Sequence, residues 1–153
     1  MFNIRTAFNT DLDAITAMFR SQLAESPRVS RLDFDEDKFR AAVMNLMDQD
    51  DGYVRIMLND KQEPVGMAMA YAQSEWYSST KLAQGLTVYV VPEYRGEGLS
   101  KHLIACADRW AEDQGVLWFQ AGTMMGIGED AARRAYESNG FKVCGLGFDK
   151  WYR

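Results

Sequence analysis

The stretch Val88-Tyr89-Val90-Val91-Pro92-Glu93-Tyr94-Arg95-Gly96-Glu97-Gly98-Leu99-Ser100-Lys101 constrains this chain more than any other. An apolar run stops at a proline. A polar turn follows, with two glycines separated by one residue, and then a helical pattern starts. The first N–H groups of a helix have no intrahelical acceptor, and the helix dipole places about half a positive charge beside them. Gly96 and Gly98 let the backbone approach a ligand with no Cβ in the way. A strand, a Gly-rich turn and a helix start, in that order, make an anion site. The chemistry implied is a phosphate-bearing ligand held on backbone amides.

Two widespread phosphate loops do not fit. The Walker loop closes on Gly-Lys-Ser/Thr, whereas Gly98 is followed by Leu99-Ser100-Lys101. The Rossmann fingerprint G-x-G-x-x-G needs a glycine at position 101, which is Lys. A third pattern does fit. The stretch resembles motif A of the GNAT superfamily of N-acetyltransferases, Arg/Gln-x-x-Gly-x-Gly/Ala, in Arg95, Gly98 and Ser100, with Pro92-Glu93-Tyr94 in front. Ser100 replaces the usual Gly or Ala, but it is small and keeps its N–H. A second match lies downstream in Ala131-Ala132-Arg133-Arg134-Ala135-Tyr136-Glu137-Ser138-Asn139-Gly140-Phe141. It resembles the last helix of that family, which carries a Tyr and closes on Gly-Phe.

With 153 residues, the chain reads as one domain over 1–153, long enough to bury a sizeable core. Its 47% hydrophobic and 25% charged residues are those of an ordinary globular protein. No apolar run approaches the roughly 20 residues that span a bilayer, and Met1-Phe2-Asn3-Ile4-Arg5 lacks a signal-peptide core. The expectation is a cytoplasmic protein that engages no membrane. A net charge of −5 argues against broad nucleic-acid binding and suits a cationic substrate. Cys106 and Cys144 sit among apolar or small neighbours and are expected to be free, buried thiols. His102 is the only histidine, so no multi-histidine metal site is available, and no metal is expected.

In chain order, 2–7 reads as a strand and Asn9 or Thr10 as the cap of a helix with an apolar stripe of Leu12, Ile15, Phe19 and Leu23. Pro27 marks its end. Asp33 or Asp35 opens a second helix that buries Phe39, Val43, Leu46 and Met47. Val54, Ile56 and Leu58 alternate as in a half-buried strand. The next strand, 65–72, sets large residues against Gly66, Ala68, Ala70 and Ala72, a face small enough for a helix to pack closely. A polar loop, 74–79, carries Trp76 and Tyr77, which either line a substrate site or cover the core edge. After the strand 86–91 comes a helix with Leu99, Leu103, Ala107 and Trp110 on one side, ending near Gly115. A strand over 116–121 then suggests a crossover between parallel strands. Glu129 and Asp130 open the last helix, and 141–151 reads as one or two final strands.

The resemblance implies an α/β fold: a mixed, mostly antiparallel sheet with splayed parallel fourth and fifth strands and helices on both faces. It implies acetyl-CoA as co-substrate, lying between those strands. Val88, Tyr89 and Val90 would meet the pantetheine arm, and Arg95, Gly96, Glu97, Gly98, Leu99, Ser100 and Lys101 would take the pyrophosphate. The implied reaction is direct attack of a primary amine on the thioester once the amine has lost its proton to a base, often through water, with Tyr136 as the acid that protonates the leaving thiolate. Glu129 stands where the family often has Asn, seven residues before this Tyr. No residue is marked as the base; Glu75 is a candidate only as a loop carboxylate. The acceptor amine is unread, and a homodimer is admitted. A non-catalytic acyl-CoA-binding or interaction domain is the alternative, since it would keep the Gly turn without needing Tyr136.

Overall fold

A computed structural model describes residues 1–153. The strands are β1 (Asn3–Thr6), β2 (Gly52–Leu58), β3 (Pro64–Ser74), β4 (Lys81–Val90) and β5 (Trp118–Gln120). The helices are α1 (Leu12–Glu25), α2 (Glu36–Asp48), α3 (Leu99–Asp113) and α4 (Glu129–Glu137). The strands form one sheet in the order β1-β2-β3-β4-β5, antiparallel throughout except for the parallel pair β4–β5. No helix is long and apolar enough to cross a membrane.

The alternation along β2 and β3 sorts side chains onto two cores. On one face, Val54, Ile56, Met67 and Met69 pack with Ile15 and Met18 of α1 and with Val43 and Leu46 of α2. On the other, Tyr53, Met57, Ala68 and Ala70 pack with Leu99, Leu103 and Ala107 of α3. The small face of β3 thus receives a helix, as its sequence implies. A Cβ on Gly66 would come within 2.9 Å of the Tyr89 carbonyl oxygen and 3.3 Å of Leu103 Cδ1, so glycine sets how close α3 can lie.

Three expectations are corrected. First, α1 is not capped by Asn9 or Thr10. These residues form a 3-10 turn with Asp11, whose carboxylate accepts the Phe8 N–H at 2.7 Å and pairs with Arg5. Asp35 does cap α2, accepting the Lys38 N–H. Second, 141–153 forms no strand. Gly145 and Gly147 weaken strand propensity there, no sheet edge pairs with it, and Leu146 and Phe148 are exposed. Third, the thiols are not buried: Cys106 is half-buried and Cys144 exposed.

Candidate active site

Two irregularities in β4 create the opening at the sheet's edge. Met69 pairs with Thr87 and Ala70 with Gly85, so Leu86 is an extra residue, a bulge that bends the strand. The parallel pairing with β5 covers only Leu82–Trp118, Ala83–Phe119 and Gln84–Gln120. Beyond it the strands part. At the point of parting a Cβ on Gly85 would lie 3.1 Å from the Ala121 Cβ, so this glycine lets the two chains meet closely just before they separate.

The rest of β4 therefore has one free edge. The Val91 N–H donates to Val65 of β3, so by the two-residue alternation of an antiparallel ladder the N–H and C=O of Val88 face away from β3. Below this edge lies a narrow apolar cleft with about 10 Å³ of open space, room for a single water. Gly85, Val88, Ile104, Phe119, Ala121 and Tyr136 line it.

At the end of β4 comes the glycine turn. Gly96 and Gly98 have φ of +89° and +73°, and a Cβ on either would meet nothing within 4 Å. Their role is backbone conformation, with open space in front of them. None of the six N–H groups from Gly96 to Lys101 donates to any acceptor in the protein. Six adjacent free donors at the positive end of a 15-residue helix are an arrangement that suits an anion.

Arg95 is held differently from its neighbours. Its Nε donates to the Val90 carbonyl at 2.9 Å, and both terminal nitrogens donate to the Glu25 carboxylate at 2.8 Å. Glu25 also accepts the Tyr89 hydroxyl at 2.8 Å. One carboxylate at the end of α1 thus fastens the end of β4 and the first residue of the turn together. The Arg95 guanidinium, with help from the Tyr89 hydroxyl, holds the Glu25 carboxyl below its usual range against the opposing effect of burial. Burial, and then the Glu25 charge, push the Tyr89 phenol up to about 12. With the charge of Arg95 committed and Glu97 exposed in the turn, the site attracts anions through N–H groups and dipole, aided by Lys101.

Glu25 was not visible as a functional residue in the sequence. A signal exists: the buried positions Ile15, Met18 and Gln22 continue at helical spacing to Glu25, a stripe that turns polar. Gln22 accepts the Thr87 hydroxyl at 2.7 Å, so both polar members of the stripe bind β4.

Tyr136 lies on α4 with its ring edge against Phe141, 5.3 Å between centroids, and Phe141 in turn meets Phe119 of β5. Its hydroxyl makes no hydrogen bond within the protein, and burial raises its pKa. The Asn139 amide donates to the Lys101 carbonyl at 3.1 Å, tying the end of α4 to the start of α3. Val88 and Tyr136 thus line one cleft, and the Asn139 bond sets the start of α3 beside the end of α4. Trp76 and Tyr77 do not line that cleft: they are 92% and 67% exposed at the end where β4 and β5 are paired. Glu75 precedes them. Lys81, which opens β4, is four residues or about 13 Å along the strand from Gly85, so Glu75 stands apart from the cleft. His102 is exposed.

Solved structures with this architecture are similar over the whole chain. A transcriptional regulator from Bacillus halodurans C-125 superposes with a TM-score of 0.77 at 22% identity, covering 99% of this chain and 100% of that one. The aminoglycoside acetyltransferase AAC(6')-Iy, in complex with a CoA bisubstrate analogue, gives 0.76 at 18%, covering 100% and 99%. The aminoglycoside antibiotic 6'-N-acetyltransferase AAC(6')-Ih from Acinetobacter baumannii gives 0.72 at 18%, covering 100% of both. No curated protein sequence matches at a significant level. The acetyltransferase (GNAT) family profile matches residues 15–141, from within α1 through Phe141, and spans every part of the cleft just described. By that match, and by a mostly antiparallel sheet whose parallel β4 and β5 part beside a glycine turn, the chain belongs to the GNAT acetyltransferase family.

Proposed function

We propose that the 153 residues act as one N-acetyltransferase domain that moves an acetyl group from acetyl-CoA to a primary amine by direct attack. The observation that carries the reading is the row of six unbonded N–H groups from Gly96 to Lys101, adjoining the free edge of β4. In a GNAT chain this row suits a pyrophosphate, and the Val88 amide and carbonyl suit the amide groups of a pantetheine arm. The fit is supported by the open space in front of Gly96 and Gly98 and by the apolar walls of the cleft. The AAC(6')-Iy complex holds a CoA-derived bisubstrate analogue, which supports acetyl-CoA as the co-substrate.

When bound, acetyl-CoA supplies an acyl carbon activated as a thioester. The residues of this chain do the rest. Val88 and the turn hold and orient the co-substrate, and the apolar cleft walls exclude water from the reacting end. The amine gives its ammonium proton to water and attacks as the free base, the C–N bond forming as the C–S bond breaks. Tyr136 holds a proton at its hydroxyl, gives it to the departing sulfur and regains the proton that the new amide nitrogen sheds. A free phenol has a pKa of about 10 and a free thiol about 8.5, and burial raises Tyr136 further. In bulk water this transfer would run uphill. In the dry cleft the thiolate is desolvated too and its own pKa rises, which brings donor and acceptor together. Incoming amines are cationic at neutral pH, and the chain's net charge of −5 favours their approach. The aminoglycoside acetyltransferases among the similar structures support including aminoglycosides among the acceptors to test.

The experiment is acetyl-CoA turnover against a panel of small amines, aminoglycosides, peptide N-termini and lysine peptides, beside calorimetric CoA binding. Saturable turnover with at least one amine is expected. CoA binding with no turnover on any amine would reduce the reading to an acyl-CoA-binding domain, and absence of CoA binding would remove it.

A further inference from the structure

A second concave site lies on the other flank of α3. The cleft beside β4 uses Ile104 and Ala107 of that helix. Cys106, Arg109, Trp110 and Asp113 instead face Tyr53 and Arg55 of β2 across a groove of about 190 Å³. Nothing in the acetyl-transfer reading uses these residues.

The groove is rich in uncommitted donors. Arg55 lies on the packing face of β2, between Tyr53 and Met57 of the core, where packing alone calls for an apolar residue. It is half-buried, its guanidinium 4.5 Å from the centre of the Tyr53 ring, and its single hydrogen bond goes to its neighbour's carbonyl, Val54, at 3.2 Å. Arg109 makes no hydrogen bond and no ion pair. Asp113, the one carboxylate that lines the groove, pairs with neither arginine. The Tyr53 residue is 1% exposed, and its hydroxyl is buried with no hydrogen-bond partner. The Trp110 indole N–H also lacks an acceptor, and its ring stands 5.0 Å from that of Tyr53 at 44°.

Arg55 and Arg109 line one groove without an ion pair to Asp113, and like charges in one groove repel each other. An oxyanion offsets that repulsion, since its oxygens accept from a planar guanidinium two at a time. The negative end of α3 lies nearby and opposes an anion with about half a charge, which two full guanidinium charges outweigh. The half-buried Trp110 ring supplies an apolar wall for a flat body.

We propose that this groove binds a small organic oxyanion, a carboxylate or phosphate carried on a flat apolar body, between Arg55 and Arg109 and against Trp110. The site is independent of the acetyl-CoA cleft, and its occupant need not be a substrate.

The test is an NMR titration of the ¹⁵N-labelled full chain with benzoate and, in a second arm, phenyl phosphate, followed at the Trp110 indole N–H and assigned with Trp110→Phe. Saturable shifts with at least one probe are expected, and the tighter arm tells carboxylate from phosphate. Arg109→Met, at an exposed position, should weaken binding about tenfold, and Arg55→Met, which keeps the aliphatic stem over Tyr53, by a similar factor. Asp113→Asn should tighten it several-fold by removing the one opposing charge. Absence of saturable shifts with both probes overturns the proposal. So does affinity that is unchanged in both arginine variants, as does weaker binding in Asp113→Asn.

Discussion

At the scale of single residues, the account rests on one hydroxyl and one carboxylate. Tyr136→Phe keeps the ring against Phe141 and deletes only the proton donor. It should lower kcat by roughly 10²-fold, the low end for a positioned acid, while CoA affinity stays within about twofold. Steady-state kinetics beside calorimetry would read both, and wild-type kcat would leave Tyr136 as packing. Glu25 acts through others: it touches Tyr89 and Arg95, and through them the turn. Glu25→Gln keeps the shape and removes the charge that holds the Arg95 fork. The expected result is an acetyl-CoA KM raised several-fold with kcat nearly unchanged, and a stability loss of about 1 kcal/mol, modest because the pair is partly solvated. A drop in kcat at constant KM would place Glu25 in the chemistry instead. Tyr136 stands out in the sequence because 131–141 resembles the last helix of the GNAT family, and that resemblance is local. The Glu25–Arg95 pair does not, because it joins residues 70 positions apart and nothing near either one encodes the other.

At the scale of elements, the turn from Arg95 to Lys101 is the part read most directly from sequence, because its properties are those of backbone: two glycines at positive φ, a proline that closes the strand, and helix donors with no acceptor. Gly98→Val is the corresponding test. At φ +73° a β-branched residue is strained by about 1–3 kcal/mol, yet its Cβ would meet nothing within 4 Å, so the fold should survive. CoA affinity should fall at least tenfold with the circular dichroism spectrum unchanged, and retained affinity would count against the turn. The bulge at Leu86 was less visible, because a strand's extra residue depends on its partner's register. The same cause explains the final strands expected over 141–151. Their apolar residues fit strand propensity, but Gly145 and Gly147 weaken it, and the free edge of the three-residue β5 takes no partner.

At the scale of the whole molecule, two ion pairs link folding to pH. Asp11 with Arg5 and Glu25 with Arg95 both have carboxyl groups that titrate below their ordinary values, chiefly through the guanidinium hydrogen bonds. The unfolded chain therefore takes up protons first as pH falls. Both pairs stabilise fully above the unfolded carboxyl values of about 4 to 4.5, and their contribution is lost as pH drops through the folded values. The urea midpoint should be flat from pH 7 to about 5 and then fall, and less steeply in Glu25→Gln. An unchanged slope in that variant would show that Glu25 is unperturbed. The two faces of the sheet were legible as alternation in β2 and β3, and the parallel crossover as strand, helix, strand. The meeting of Val88 and Tyr136 in one cleft, with the turn at the end of β4 and the start of α3 tied to the end of α4, came from tertiary structure alone. That convergence is the central claim, and an amide-resolved ¹H–¹⁵N NMR titration with CoA tests it most directly. The account predicts that the largest shifts fall on the N–H groups of Gly96 to Lys101 and Val88, with smaller ones near Tyr136. Saturable CoA binding that leaves those seven amides unmoved would contradict it.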